Sequence, residues 1–509
     1  MILTAILLFV TVLLRLLTIT KAATFDTYGH LYACQQVENG KTGPLKPIKT
    51  KMVGSKDFPY PVLYHWMLVK IFGFKNFLNW HWCLNPIIDL LFTGLMGFIF
   101  YSLFGLEIAL KSSLLYLLIP LCFTLISSGP RLRSWSPRLF TEVTVGLYFI
   151  MPYLSNFLHV PSAYWICFAL MTILAIIVLG SSKFGLQALI FIGVPASLFS
   201  WSTIFILPGL AAFLLLIILT KGDFYKTVLR QYSHLKLYYQ RNESGKAAVR
   251  DRSNVVKSMK FPEGTSFFKR INLFIFNRPS ENGILAMLLR FPSYLIVTAG
   301  IILFWKEGHA SELFLLSAPI LAGFLAFLII SIPSFLFLGE AERYPIHVAI
   351  LSSLALVLMA NEASYGNWMY QGLVVYGFLY MLWDYKDRLL KRNQNTEKFP
   401  ESSIEYLNQS KEPLVLLCYP YHVGPLLRFL VETPHLGIAT IFCDTETEEF
   451  IKKDYEEAYG YLKLDRLDKL YQDFGVNTVI LREQHFNLLD KSWELRHQEE
   501  GKGIFYRIP

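Results

Sequence analysis

Charged residues next to apolar segments are the candidates for chemistry in this chain. Asp26 and His30 follow the first apolar segment closely and would share one face of a helix. A carboxylate in this position could act as a general base on an acceptor hydroxyl or amine. It could equally complement the dipole at a helix N-terminus. The residues alone leave both interpretations open.

A second candidate region has arginines and one glutamate at the junction of two apolar segments. Because a guanidinium fork binds two oxygens at once, Arg131 and Arg138 are predicted to bind phosphate. Glu142 could hold a divalent cation, align an acceptor, or pair with Arg138 one helical turn earlier. Arginines at a membrane rim are also ordinary headgroup anchors, so a purely structural role stays open.

Two further charged sites lie between apolar segments. Lys183 is a lone lysine at a span end, where such residues are usually snorkelling anchors. Arg343 follows Glu340 and Glu342 in a short loop. Arg343 would bind a phosphate, and the two carboxylates would orient it or bind an acceptor; the alternative is a capped helix end with local ion pairs. Arg15 is predicted either to snorkel or to face the interior, and Asp89 to be an interior polar group.

The apolar content shows which elements must position these side chains. The 509 residues are 54% hydrophobic and 17% charged, whereas soluble domains have about 25% charged residues. The apolar residues form blocks of roughly 16–25, long enough to cross a hydrocarbon core of about 30 Å as helices. We predict eleven spans, at residues 2–20, 86–104, 112–128, 139–155, 163–182, 184–200, 202–220, 290–305, 312–336, 345–360 and 368–384.

The rest of the chain is predicted to lie outside the membrane. An external loop at 21–85 contains two predicted amphipathic juxtamembrane helices, and a second extramembrane segment occupies 221–289. From 386 short apolar strands at 414–418, 440–442, 478–481 and 503–507 alternate with helical stretches at 424–431, 446–459 and 464–474, and Gly475 is the expected residue just after the last helix. This alternation predicts a small α/β domain. We therefore predict a polytopic α-helical membrane protein with a transmembrane domain at 1–385 and a soluble α/β domain at 386–509.

Motif content narrows the function classes. No P-loop, GxSxG, HExxH or Rossmann glycine pattern occurs, which argues against ATP-driven transport and familiar hydrolases. The net charge is +9. We expect the excess Lys and Arg to contact lipid headgroups or phosphate esters. Nucleic acid is a less suitable partner, because the soluble regions contain no basic segment interleaved with aromatic residues. Membrane lipids are therefore expected partners, and nucleic acid is not.

The order of these features resembles the GT-C class of polyprenyl-phosphate-sugar glycosyltransferases. Within it, the chain is similar to the group of protein O-mannosyltransferases and the lipid A aminoarabinose transferase. The C-terminal segments 474–481 and 503–507 also look like the periplasmic domain of such proteins. The resemblance rests on residues 25–30 (FDTYGH), 58–66 (FPYPVLYHW), 138–142 (RLFTE), 179–185 (LGSSKFG) and 342–345 (ERYP).

The resemblance implies an inverting transfer of a hexosyl or pentosyl group from an undecaprenyl- or dolichyl-type phosphate to a protein, glycolipid or polysaccharide. It implies Asp26 and Glu142 as catalytic residues and as ligands of a divalent ion (Mg²⁺, Mn²⁺ or Zn²⁺), where one is used. Two departures are Glu142, where many members carry Asp, and Phe184, where they carry Gly. Residues assigned to the donor phosphate are Lys183, Arg343, Arg138 and Arg131; those assigned to positioning are His30, Tyr28, Tyr60, His65, Glu340 and Glu342.

The orientation of the chain is not decided by its charges, because the positive-inside rule leaves the two directions nearly even. The resemblance implies that the site and the C-terminal domain face the periplasm of a bacterial inner membrane, or a lumen. The alternative function is a secondary transporter or flippase for a lipid-linked or anionic solute. Such proteins often show inverted repeats and broken helices near the midplane, whereas the charges here lie at span ends.

Overall fold

The computed structural model describes residues 1–17, 19, 25–49, 57–58, 60–124, 131–132, 134–157, 160, 162–243, 254–306, 314–362, 366–391, 399–419, 423–432, 436–438 and 467–508. The chain forms two compact units. Unit 1 comprises Met1–Ala22, Trp80–Gly222 and Val249–Gln394. Unit 2 comprises Ala23–Asn79, Asp223–Ala248 and Asn395–Pro509.

Most described residues are helical. The α-helices up to residue 243 are α1 Ile2–Leu17, α2 Phe25–Glu38, α3 Leu63–Phe72, α4 Phe74–Phe104, α5 Leu106–Leu117, α6 Pro120–Phe123, α7 Pro137–Ser155, α8 Ala163–Ser181, α9 Lys183–Phe191, α10 Gly193–Ser200, α11 Leu207–Leu219 and α12 Asp223–Glu243. Those that follow are α13 Val255–Ser258, α14 Phe267–Asn272, α15 Gly283–Arg290, α16 Pro292–Lys306, α17 Phe314–Ile330, α18 Arg343–His347, α19 Ala349–Glu362, α20 Gly366–Lys391, α21 Glu401–Gln409, α22 Val423–Leu430 and α23 Leu467–Phe474.

Apolar helices dominate unit 1, as the hydrophobic blocks predicted. Three described helical segments are long and apolar enough to cross a membrane alone: α4, α8, and α9 with α10. The total rises to five when each of two bent helix pairs is taken as one span, and α1, α17 and α19 are shorter apolar helices. The chain is therefore an integral membrane protein, and the figure of eleven spans stays a prediction.

Unit 2 contains the predicted α/β fold. Its strands are β1 Ile48–Lys49, β2 Asp57–Phe58, β3 Leu414–Tyr419, β4 Leu436–Ile438, β5 Thr478–Arg482, β6 Trp493–Glu499 and β7 Lys502–Arg507. The last five form one sheet in the order β4-β3-β5-β7-β6. Strand β3 is parallel to β4 and β5, whereas β7 is antiparallel to β5 and β6. Strand β1 pairs antiparallel with β2.

Alternating side chains of this sheet build a core on each face. Leu416 of β3 and Ile480 of β5 pack with Leu407 and Leu427 of α21 and α22. Leu417, the next residue of β3, packs on the opposite face in a cluster that includes residues of α23. This is the period of two expected of a strand buried on both sides.

The predicted elements of the C-terminal region are found wherever they lie among the described residues. Helix α23 ends before Gly475, whose φ of +68° is the left-handed conformation predicted for it. Strands β4 and β6 and helix α21 were not predicted. The predicted strand at 440–442 and helix at 446–459 lie outside the described residues.

The first predicted juxtamembrane helix differs from expectation. Helix α2 was predicted to be amphipathic, but Leu31 to Cys34 are all buried. Four consecutive buried residues exceed one helical turn, so α2 is enclosed on all sides there. The physical reason is that α3 and α22 pack against it within unit 2.

Candidate functional site

A buried network of charges occupies unit 1. Asp89 of α4 forms ion pairs at 3.3 Å with Arg15 of α1 and with Arg131. It also accepts a 2.9 Å hydrogen bond from the Tyr116 hydroxyl. Asp89 and Arg131 are each 1% exposed. Arg15 therefore faces the interior, and Asp89 is the interior polar group predicted for it.

Arg131 uses its donors within the protein. Its Nε pairs with Glu142, its Nη1 donates to the Cys122 carbonyl at 2.8 Å, and its Nη2 donates to the Tyr116 hydroxyl at 3.1 Å. The side-chain amide of Asn85 donates a 3.0 Å hydrogen bond to the backbone carbonyl of Arg131. Such a saturated guanidinium positions other groups, so this geometry favours a structural role over the predicted phosphate contact.

Glu142 lies between two arginines. Its Oε2 pairs with Arg131, and its Oε1 accepts from Arg138 Nε at 2.8 Å, the i,i+4 pairing foreseen as an alternative. Both carboxylate oxygens are thus engaged by cations, which repel a further cation. Among the described residues no group of three or more His, Cys, Asp or Glu could hold a metal ion. The described donors around Glu142 therefore do not fit a divalent metal.

A second cluster places two cations on one aromatic ring. Lys183 Nζ lies 5.1 Å from the centre of the Phe184 ring, and Arg343 Cζ lies 4.2 Å from it. Arg343 also pairs with Glu340. Lys183, Phe184 and Arg343 are all half-buried. The structure thus brings together two residues predicted for phosphate, 160 positions apart in the chain.

Helices α7, α9 and α18 converge at this cluster. The Ser182 side chain caps α9 by accepting from the Phe184 amide at 3.2 Å, which places Lys183 in the first helical turn. A Cβ at Gly185 would lie 2.3 Å from Val178 Cγ1 and 3.0 Å from Thr141 Cγ2. Only glycine lets α9 approach α8 and α7 so closely, next to Glu142.

His347 belongs to the same region and was not predicted from the sequence. It is 5% exposed and interacts electrostatically with Glu142, Arg138 and Arg343. Its buried Nδ1 has no hydrogen-bond partner among the described residues. His347 follows Arg343 by four residues, so both occupy one face of α18. That spacing is the signal that could have identified it.

Glu340 and Glu342 line a cavity beside the cluster. The cavity has a volume of about 10 Å³, room for one water molecule, and Gly283 and Ser331 also line it. Glu342 is fully buried, and a Cβ at Gly283 would lie 2.9 Å from its Oε2. The carboxylate therefore rests against the first turn of α15, where a helix dipole stabilises negative charge.

The remaining predicted site residues lie in unit 2. His30 Nδ1 and His65 Nε2 are 3.1 Å apart, and the Tyr60 ring lies 5.6 Å from that of His30. Tyr28 packs against Phe429 at 6.1 Å. Burial, together with the charge of Arg428, lowers the pKa of His30 to about 3. Asp26 belongs to α2, but its side chain lies outside the described residues.

Comparisons with solved structures identify the fold. ArnT from Cupriavidus metallidurans bound to undecaprenyl phosphate superposes with a TM-score of 0.52 at 13% identity, over 99% of this chain and 98% of that one. The Archaeoglobus fulgidus oligosaccharyltransferase in its apo form gives 0.53 at 11% identity, over 95% and 70%. The same enzyme tethered to an acceptor peptide gives 0.54 at 10% identity, over 95% and 69%.

These similarities define the structural class. No family model matches the chain, and no curated protein sequence matches it. ArnT and the oligosaccharyltransferase are both GT-C glycosyltransferases. The fold of this chain is thus that of GT-C glycosyltransferases, as the motif order predicted, and the chain has this fold at 10–13% identity.

Proposed function

We propose that this protein is a membrane glycosyltransferase that moves a sugar from a polyprenyl-phosphate donor to an acceptor. The observation that carries the proposal is the pair of half-buried cations, Lys183 and Arg343, on the ring of Phe184. Two cations held on one ring in a partly dry site suit a phosphate group with two non-bridging oxygens. ArnT, which shares the fold, was crystallised with undecaprenyl phosphate.

The proposed reaction is a displacement at the anomeric carbon of the donor sugar. The acceptor oxygen or nitrogen attacks the anomeric carbon while the bond from that carbon to the phosphate oxygen breaks. The acceptor proton passes to Asp26, and the electron pair leaves with the polyprenyl phosphate. Attack opposite the leaving group inverts the configuration. Lys183, Arg343 and Arg138 stabilise the negative charge that develops on the leaving phosphate.

The other residues support this step. Glu142 holds Arg138 in place, and Arg131 holds Glu142. His347 lies beside Arg343, where an imidazole N–H can donate a hydrogen bond to a phosphate oxygen. Tyr28, His30, Tyr60 and His65 are assigned to positioning of acceptor or donor, with Glu340 and Glu342 as further acceptor contacts.

Orientation and domain division belong to the same proposal. The reaction faces the periplasm or a lumen, with the C-terminal α/β domain on that side. The transmembrane domain is assigned to 1–385 and the soluble domain to 386–509. Eleven spans would put the termini on opposite sides, so the N-terminus would be cytoplasmic.

The test uses the full chain in nanodiscs with a panel of radiolabelled polyprenyl-phosphate sugars. Wild-type protein should release label from one donor, stimulated by one acceptor extract. Asp26→Asn should abolish release while the protein keeps its fold and its affinity for the donor lipid. Normal turnover by Asp26→Asn would remove the base assignment.

The same experiment distinguishes the transferase from the rival function. A secondary transporter or flippase would bind the lipid or solute tightly without breaking the bond between sugar and phosphate. No label loss with any donor, together with tight lipid binding, would therefore contradict the transferase. Loss of label that needs Lys183 and Arg343 would support it.

A further inference from the structure

One cation in unit 2 is enclosed without a matching anion among the described residues. Arg428, in α22, packs its guanidinium against α2: a Cβ on Gly29 would lie 3.4 Å from Nη2, and Cζ lies 4.7 Å from the centre of the Tyr32 ring. Arg428 Nε is buried without a hydrogen-bond partner in the described part of the chain. Burial lowers the pKa of Arg428, while Tyr32 raises it.

No described carboxylate compensates this charge. Within the described residues Arg428 forms no ion pair, and its immediate neighbours are aromatic or neutral. His30 and His65 form a hydrogen-bonded pair, and burial is the main cause of the low pKa values of both rings, so they stay neutral. A guanidinium so placed is costly unless an anion joins it, and the Tyr32 ring offsets only part of that cost.

The surroundings allow a ligand to reach this cation. Tyr28, His30, Tyr60 and Arg428 are all half-buried, so each of these side chains is partly exposed to solvent. Gly29 leaves room for the guanidinium directly on the backbone of α2. Helix α2 also carries Asp26, the proposed base, one turn before His30. A ligand held by Arg428 would therefore contact the helix that carries the proposed base.

We propose that Arg428, with the aromatic side chains around it, is an anion-binding site that receives a phosphate or carboxylate group of the acceptor. The proposal rests on the proposed transferase function for the identity of the ligand, but not for its existence. The sugar-donor phosphate is assigned to Lys183 and Arg343 of unit 1. Arg428 then gives the enzyme a preference for acceptors that carry negative charge near the receiving hydroxyl or amine.

The direct test measures the reactivity of individual arginines in the full chain in nanodiscs. Phenylglyoxal labelling is located by mass spectrometry with methyl phosphate, acetate or chloride present at equal ionic strength. Methyl phosphate or acetate should slow labelling of Arg428, and the more effective of the two names the ligand chemistry. Arg496, an exposed residue paired with Glu494 in the same unit, is the matched control and should not be protected.

Two outcomes would overturn the site. Labelling of Arg428 at one rate in all three salts would show that no anion binds there. If Arg428 is not labelled in chloride, the side chain is not accessible to ligands. Either result is independent of transferase activity, so it would not be confused with failure of the proposed function.

A kinetic test addresses the role in transfer once donor and acceptor are known. Arg428→Gln should raise the acceptor KM by about 10- to 100-fold, the effect of losing one charge-assisted hydrogen-bonded pair. The donor KM should stay unchanged, and Arg428→Lys should restore part of the acceptor affinity. An equal rise in both KM values, or no rise in either, would contradict the assignment.

Discussion

The two charge clusters of unit 1 each contain an arginine predicted to bind phosphate, but they differ in how their charges are satisfied. In the network of Asp89, Arg131 and Glu142, the guanidinium of Arg131 is saturated by protein groups and hidden from solvent. In the cluster of Lys183 and Arg343, two half-buried cations share an aromatic ring. An arginine with protein partners on Nε, Nη1 and Nη2 supports the fold, whereas one stacked on a ring can still bind a ligand.

This difference assigns roles that residue type alone does not. Arg131 and Arg343 were both predicted to bind phosphate, and only the environment of Arg343 favours that role. Arg138 lies between the two groups, paired with Glu142 and within electrostatic reach of Arg343. We therefore expect substitutions in the first cluster to cost stability and those in the second to cost ligand affinity.

The largest expected effect is on stability, in the saturated network. Arg131→Leu should lower the free energy of unfolding by about 3–5 kcal/mol, because it leaves buried carboxylates with fewer partners. Thermal unfolding in nanodiscs measures this change. Arg496→Leu, which removes an exposed ion pair, is the control and should cost about 1 kcal/mol or less. Equal shifts for both variants would contradict the structural role of Arg131.

The next effect is on affinity, in the second cluster. Arg343→Gln should weaken binding of a polyprenyl phosphate about 10- to 100-fold, because a charge-assisted contact is lost. The melting temperature of Arg343→Gln should differ less from the wild-type value than the melting temperature of Arg131→Leu does. Lipid binding is measured by titration into nanodiscs. A variant that melts early and binds normally would reverse the two assignments.

A smaller effect on lipid affinity is expected when the aromatic ring of Phe184 is removed and both cations are kept. Phe184→Leu keeps an apolar side chain but removes the aromatic face, so lipid-phosphate affinity should fall about 2- to 30-fold. Phe184→Tyr keeps the face and should bind nearly as well as the wild type. If leucine and phenylalanine are equivalent, the ring does not hold Lys183 and Arg343 in place.

The smallest effect is that of salt. Raising the ionic strength from about 0.1 to 1 M shortens the Debye length from about 10 to 3 Å. Binding of the lipid phosphate to the half-buried cations should weaken a few-fold. The melting temperature should change little, because the network around Arg131 excludes solvent. A strong loss of stability with salt would mean that this network is open to water.

Some of the fold was predictable because local pattern determines it. Blocks of apolar residues predicted the long apolar helices of unit 1, and β3, β5, β7 and α23 were predicted from short apolar segments and turn residues. Helix α2 was predicted as a helix, but its burial on all sides was not, because that burial comes from packing with α3 and α22, which no local period reveals. Strand β6 was missed because it is polar and largely exposed, so its pairing with β7 alone defines it.

The sequence by itself determined the membrane class, the α/β character of the C-terminal region and which charged positions are candidates for chemistry. These three features follow from composition and from hydrophobic periods of 2 and 3.6 residues, which are local properties of the sequence. Tertiary structure alone decided which charges meet. It paired Arg131 with Asp89 and Glu142, placed Lys183 and Arg343 on the ring of Phe184, and enclosed Arg428 against α2. Partners so far apart in the chain are selected by close packing and by the cost of burying unmatched charge.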